Sequence, residues 1–146
     1  MWKDLIEKLY ADAELAPPVS DTEIDQIERR LGQQVPNDLR DLLRCTNGVQ
    51  AEWGAGLVWS VQEMIDQNIE FRCDAEFAEL YMSFDQLMFF GDNGGGDQFC
   101  YVRLPSGHNT GVYVWEHETD DRKWAAGSLT DYLQRRAGAE GDDWYK

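Results

Sequence analysis

The sequence has little of what disulfide-bonded or zinc-bound folds need. It contains three cysteines, Cys45, Cys73 and Cys100, and none of them lies in a C-x-x-C pair. Three is an odd number, and the spacing fits neither a disulfide framework nor a zinc site. We therefore expect reduced thiols and a cytoplasmic protein.

Long hydrophobic runs are also missing. No apolar segment approaches the ~20 residues that a helix needs to span a bilayer. The first ten residues, MWKDLIEKLY, carry charges throughout and have no apolar core of the kind found in signal peptides. The sequence therefore predicts neither a transmembrane helix nor a secretory leader.

Basic residues are scarce. Thirteen Lys and Arg stand against 28 Asp and Glu, which gives a formal net charge of −15. The acids lie in both halves of the chain and do not form an acidic tail. Such a surface repels nucleic acid and anionic membranes. It attracts basic partners, but a high charge also simply keeps a protein soluble, so both interpretations stay open.

The residues that are present suit one packed domain. The chain has 146 residues, of which 42% are hydrophobic, and a domain of this size needs no metal or disulfide for stability. We predict a single domain over residues 1–146. Within it, residues 1–19 form an N-terminal helix and linker, and residues 138–146 form a loose tail or a docked extension.

Apolar residues recur at helical spacing in the first half of the chain and alternate in the second half. Helices are predicted to begin near Trp2, Ser20, Pro36, Ser60 and Ser128. From Gln86 onward the period becomes two, which predicts an antiparallel meander that includes 86–104 and 111–118. The segment 72–84 is irregular or helical. Helices, then a meander, then one helix indicate an α+β fold.

The stretch FFGDNGGGDQFCYV places three glycines between Asp92 and Asp97. A phosphate loop would need a Lys and a Ser or Thr that are missing here, and the two aspartates would repel a phosphate. A calcium site is not favoured, because three side-chain oxygen donors fall short of the six to eight oxygens that calcium takes. We predict a hairpin turn with glycines at positive φ and Asx-type hydrogen bonds. Such a turn also presents Asp92 and Asp97 to a partner.

Histidine chemistry is limited. His108 and His117 form no H-E-x-x-H motif and have no cysteine at zinc spacing, and no nucleophile motif accompanies them. We expect His117 to be a partly buried residue bonded to a neighbouring carboxylate. The sequence predicts no catalytic residue, no metal ligand and no cofactor, and thus not an enzyme. A hydrolase that uses His117 with a nearby acid stays open as a minor alternative.

Tryptophans near acidic residues are typical of protein-binding hot spots. The candidate partner-binding surface is a loop edge that carries four carboxylates, with three tryptophans as possible anchors. These residues are Asp92, Asp97, Glu116, Glu118, Trp53, Trp59 and Trp115. We expect a protein partner and neither nucleic acid nor membrane.

The order of these motifs resembles the SUKH superfamily, the domain of the Smi/Knr-type cell-wall regulators and of many bacterial proteins. The resemblance runs from about Ser20 to Ala137 and rests on four segments. They are SDTEIDQIERRLGQQVPNDLRDLLRCTNG, FFGDNGGGDQFCYV, GVYVWEHE and AAGSLTDYL. It implies a central, mostly antiparallel sheet flanked by N-terminal helices and one C-terminal helix, with no shared catalytic residues and no cofactor.

The resemblance also implies a function. Bacterial members are commonly immunity proteins that bind and neutralise a cognate toxin of a polymorphic or contact-dependent system, and many such toxins are nucleases. The expectation is therefore an immunity protein for a basic, nuclease-type toxin. The alternative is a non-enzymatic interaction or scaffold module without a toxin partner. A toxin reading frame beside the gene would distinguish the two.

Overall fold

The computed structural model describes residues 1–52, 54–103, 111–139 and 143–146. Within these ranges the chain forms six helices and seven strands. The helices are α1 (Trp2–Leu9), α2 (Asp21–Leu31), α3 (Asn37–Leu43), α4 (Val61–Cys73), α5 (Ala75–Leu80) and α6 (Leu129–Gly138). The strands are β1 (Glu14–Leu15), β2 (Val49–Ala51), β3 (Ala55–Val58), β4 (Leu87–Asp92), β5 (Gln98–Val102), β6 (Val112–Glu116) and β7 (Asp121–Ala126).

The strands form two antiparallel sheets, one in the order β1-β2-β3 and one in the order β4-β5-β6-β7. The second sheet is the predicted meander, and the α+β prediction is confirmed. The amide of Trp59 donates a 2.6 Å hydrogen bond to the carbonyl of Phe90, which joins the two sheets. Gly91 makes this approach possible, because a Cβ at that position would collide with the backbone carbonyl of Leu57.

Helix starts follow the capping residues. The Ser20 side chain accepts a hydrogen bond from the Glu23 amide, and Ser60 and Glu63 form a reciprocal capping box at the start of α4. The ambiguous segment 72–84 contains a short helix, α5, because the Asp74 side chain accepts from the amides of the first turn.

Strand β7 is the element that the sequence pattern missed. Its first residues are charged, and the run EHETDD, residues 116–121, lacks the apolar alternation that predicts a strand. The structure instead turns at residues 117–120 and pairs Asp121 with Glu116, which adds a fourth strand to the meander. Burial in β7 is confined to Ala125 and Ala126, so the strand carries little of the alternation that reveals a half-buried strand.

The two faces of the meander pack against different helices. On one face, an edge-to-face aromatic cluster joins Phe71 of α4 to Phe84, Phe89 and Trp115. On the other face, Tyr132 of α6 packs against Phe90 and Phe99. The meander thus lies between α4 and α6, and its turns emerge at the ends of this sandwich.

Cys45, Cys73 and Cys100 are free cysteines. Cys73 is exposed, Cys45 is half-buried, and burial raises the pKa of the Cys100 thiol to about 12. None of the helices in the described ranges has the length and apolarity to cross a membrane.

Candidate functional site

The glycine-rich turn between β4 and β5 has the conformation predicted from the sequence. Gly94 and Gly96 have φ values of 82° and 112°. The carboxylate of Asp92 accepts from the Gly94 amide at 2.8 Å. The amide oxygen of Asn93 accepts from the amides of Gly95 at 2.8 Å and Asp97 at 3.1 Å. The glycines therefore allow the positive φ angles that the turn needs, and the side chains of Asp92 and Asn93 accept hydrogen bonds from its amides.

Asp97 is buried beneath this turn, with 4% of its surface exposed. One carboxylate oxygen accepts from the amide of His117 at 3.0 Å and lies 2.6 Å from its ring Nδ1. The other oxygen accepts from the Tyr145 hydroxyl at 2.6 Å. Burial alone would favour the neutral acid, but the hydrogen bonds from Tyr145 and His117 outweigh it and lower the pKa of Asp97. The predicted bond between His117 and a carboxylate is confirmed.

This pair of side chains resembles the base and the orienting acid of a hydrolase. Within the described residues, however, no hydrogen bond joins His117 to a serine, threonine or cysteine. The contacts that the pair makes among the described residues fix the loop that follows β6.

Asp92 connects the turn to the rest of the molecule. Its second carboxylate oxygen accepts from the indole N–H of Trp59 at 2.7 Å, and its backbone carbonyl accepts from Arg136 at 2.7 Å. Arg136 also donates to Glu52 at 2.7 Å and to the Tyr132 hydroxyl at 2.8 Å. Arg136 therefore links α6, the end of β2 and the glycine turn from below.

A groove of about 430 Å³ opens above this arrangement. The β2–β3 hairpin, the first turn of α4 and the glycine turn form its walls. Its lining residues are Gln50, Glu52, Gly54, Ala55, Gly56, Glu63, Asp92, Asn93 and Gly94. Three of these are acidic and none of these described residues is basic, and one of the acids, Glu52, is paired with Arg136 beneath the groove. We call the carboxylates of Glu52, Glu63 and Asp92 the acidic edge, and we include in it Glu118, which does not line the groove but lies on the turn after β6, where the neighbouring His117 ring lies against Gly96.

The predicted partner-binding residues differ in how exposed they are in the structure. Asp92 is half-buried at the groove and Glu118 is exposed. Asp97 and Glu116 are buried, and Glu116 forms a 3.2 Å ion pair with Lys123. Trp53 lies outside the described residues.

Trp59 and Trp115 are buried, so neither indole ring protrudes from the surface of the free protein. Each indole N–H donates to a carboxylate, that of Trp59 to Asp92 and that of Trp115 to Asp120 at 2.8 Å. Trp124 of β7 is the exposed tryptophan of the described residues, at 52%, and the guanidinium of Arg135 lies 5.3 Å from the centroid of its ring.

Sequence reasoning missed four residues that build the edge: Glu52, Glu63, Tyr145 and Arg136. Glu63, three residues after Ser60, is indicated by the sequence only as part of a helix-capping box. Arg136 lies on the apolar stripe of α6, between Leu133 and Ala137, and a charge in such a stripe signals a buried ion pair. Glu52 and Tyr145 carried no local signal, because both depend on contacts with residues far away in the sequence.

No group of three or more His, Cys, Asp and Glu side chains in the ranges that the structure describes is placed to hold a metal ion. At the turn, both Asp92 oxygens and both Asp97 oxygens already accept hydrogen bonds from the protein. The carboxylates that a calcium ion would require are thus used to shape the turn.

The fold is that of a small α+β domain, and hydrogen bonds within the described chain hold the carboxylates of its acidic groove in place. A family model described as the SMI1 / KNR4 family (SUKH-1) matches residues 18–135. The chain belongs to this family, as the resemblance of its motifs indicated. No curated protein matches the sequence.

Replacing Gly94 by alanine should lower the free energy of unfolding by about 1–2 kcal/mol, because a Cβ is strained at positive φ. Gly95 is a matched control. A Cβ has similar room at both positions, with nearest atoms at 3.7 Å for Gly94 and 3.6 Å for Gly95, but only Gly94 has a positive φ. Urea denaturation should therefore show Gly95→Ala within about 0.5 kcal/mol of the parent protein. Equal losses in both variants would contradict the assigned backbone conformation.

The pKa of Asp97 predicts a pH-dependent loss of stability. A carboxyl whose pKa is lowered on folding stabilises the native state fully above its ordinary pKa of 3.8, and this contribution disappears as the pH falls through the lower, folded pKa. Asp97→Asn should therefore have a lower free energy of unfolding than the parent at pH 7, and this deficit should shrink below pH 3.8. Urea denaturation between pH 3 and 7 measures the deficit. A deficit that stays constant across this range would show that the charge of Asp97 does not contribute.

Proposed function

We propose that this protein is an immunity protein that acts in the cytoplasm as a single domain, where it binds and neutralises a basic, nuclease-type toxin. Membership of the SUKH-1 family supports a protein partner. The observation that carries the choice of a basic partner is the acidic edge, where three carboxylates line one groove without a basic side chain among the described lining residues. A nuclease needs a basic cleft to bind phosphates, and such a cleft complements this edge.

The edge suits recognition because its carboxylates are held in place before a partner arrives. Glu52 is fixed by Arg136, Asp92 by Trp59 and the Gly94 amide, and Glu63 by the capping box of α4. A preorganised surface loses little side-chain entropy on binding, so more of the interaction energy appears as affinity.

The net charge of −15 should act at longer range. Charge complementarity mainly accelerates the encounter between two proteins, to association rate constants of up to ~10⁸–10⁹ M⁻¹s⁻¹ at low salt. These rate constants fall steeply as the ionic strength rises, because counterions screen exposed charges.

The test is to co-express the chain with the product of the neighbouring reading frame and to measure complex formation and toxin activity over a salt series. The proposal expects a stable complex, loss of the toxic activity, and an association rate that falls with salt. Absence of a complex, or an acidic partner whose association ignores salt, would overturn it. A gene without a toxin neighbour would instead favour the scaffold module of the same family.

A further inference from the structure

Residues 143–146 dock against the glycine turn, although they lie beyond the segment 18–135 that the family model matches. Tyr145 is buried, Trp144 is half-buried, and both contact β5 directly after the turn. The sequence left a loose tail or a docked extension open for residues 138–146; of that segment, Gly138 belongs to α6, and Trp144 and Tyr145 lie against β5.

The aromatic contacts fix the segment to the sheet. The Trp144 ring stacks on Phe99 with 5.7 Å between ring centroids and 8° between planes. The Tyr145 ring meets the same Phe99 edge to face at 5.5 Å, and Trp144 also lies 6.0 Å from Tyr132 of α6. Stacked and edge-to-face pairs of this kind add stabilisation beyond the apolar area that they bury.

The polar contacts fix the turn to the segment. The Tyr145 hydroxyl donates to Asp97 at 2.6 Å and accepts from the side-chain amide of Asn93 at 2.9 Å. Asn93 and Asp97 are the residues that hold the turn amides and His117. The Tyr145 hydroxyl therefore contacts both Asn93, which shapes the glycine turn, and Asp97, which fixes residues 117–120 after β6. We call residues 117–120 the His117 loop.

We propose that residues 143–146 form a strap that holds the glycine turn and the His117 loop in one conformation. The strap combines an aromatic clamp on Phe99 with a hydroxyl that orients Asn93 and Asp97. It goes beyond the proposed function, because it is a property of the isolated protein and does not depend on any partner. Where a partner binds the acidic edge, the strap sets the relative positions of Asp92 and Glu118.

The experiment compares two strap variants with a matched control, using amide hydrogen exchange measured by NMR. Tyr145→Phe removes the hydroxyl, and Trp144→Ala removes the stacked ring but keeps the hydroxyl. The control is Tyr10→Phe, which removes a hydroxyl that donates to the Leu133 carbonyl at 2.7 Å and has no contact with the turn among the described residues.

If the strap acts as a unit, both strap variants should accelerate exchange of the Asn93, Asp97 and His117 amides. The expected factor is at least roughly tenfold, which is the lower end of what a hydrogen bond to a charged acceptor contributes. Amides of α2 should exchange as in the parent, and Tyr10→Phe should leave the turn amides unchanged. Turn amides that respond no more than in Tyr10→Phe would overturn the proposal. A response to Tyr145→Phe alone would also overturn it, because the hydroxyl and not a strap would then hold the turn.

Discussion

Replacing Arg136 with methionine is expected to lower the free energy of unfolding by about 3 kcal/mol. Removing one partner of a buried ion pair costs about 3–5 kcal/mol, because the remaining charge loses its compensation. Arg136 is only 4% exposed. Burial by itself disfavours its charge, but Tyr132 and Glu52 raise the pKa of Arg136 above the ordinary value. The lower end of the range applies because the Glu52 side chain keeps 22% exposure and is partly hydrated after the change.

The neighbouring arginine provides the control for this prediction. Arg135 pairs with Asp131 at 2.9 Å, but its side chain is 50% exposed, and exposed ion pairs contribute at most about 1 kcal/mol. Urea denaturation should therefore separate Arg136→Met from Arg135→Met by about 2 kcal/mol or more. Adding Glu52→Gln to Arg136→Met should recover part of the loss, because it removes the unpaired carboxylate. Equal stabilities for the two arginine variants would show that Arg136 does not link α6 to the turn.

Placing lysines on the acidic edge is expected to slow association with the basic partner roughly a hundredfold at low salt. The variant combines Gln50→Lys, which adds a cation to the groove wall, with Glu118→Lys on the exposed loop beyond the turn. Together these changes alter the charge of the edge by three units. A unit charge pair at about 4 Å in water is worth about 1 kcal/mol, so three units correspond to about two orders of magnitude.

The control carries the same change in net charge at another place. Gln26→Lys and Glu70→Lys are exposed substitutions on α2 and in the second half of α4, and neither side chain forms a hydrogen bond or an ion pair with the described residues. Stopped-flow or surface-plasmon measurements at several ionic strengths should show the large loss for the edge variant and a small one for the control. If both variants slow association equally, net charge and not the edge determines recognition.

The parts of the fold that the sequence predicts are those with local causes. Ser20 and Ser60 start helices because their hydroxyls accept hydrogen bonds from amides three residues later. The glycine turn is predicted for the same reason, since its aspartate and asparagine bond amides within the turn itself. Strand β7 was missed because its pairing with β6, and not its own pattern, makes it a strand.

The candidate site is harder to predict because its residues meet only in the folded chain. The sequence itself places Asp92 and Asp97 at the glycine turn, but it did not indicate that Glu52 and Glu63 lie beside Asp92 in one groove. It also offered Trp59 and Trp115 as anchors. Both are buried in the folded chain, where the indole N–H of Trp59 donates to Asp92, far along the chain, and that of Trp115 donates to Asp120 in the next turn. Nothing in the local sequence distinguishes such a tryptophan from an exposed one.

The hydrogen bond from Trp59 to Asp92 gives the acidic edge an optical signal of its own. Tryptophan emission depends on the electric field along the indole ring, and a carboxylate 2.7 Å from the indole nitrogen makes a large contribution to that field. A cation that draws the charge of Asp92 toward the groove would reduce this contribution and shift the emission of Trp59. Occupancy of the edge is therefore readable from intrinsic fluorescence without a label, and a Trp59→Phe variant identifies which part of the spectrum reports it.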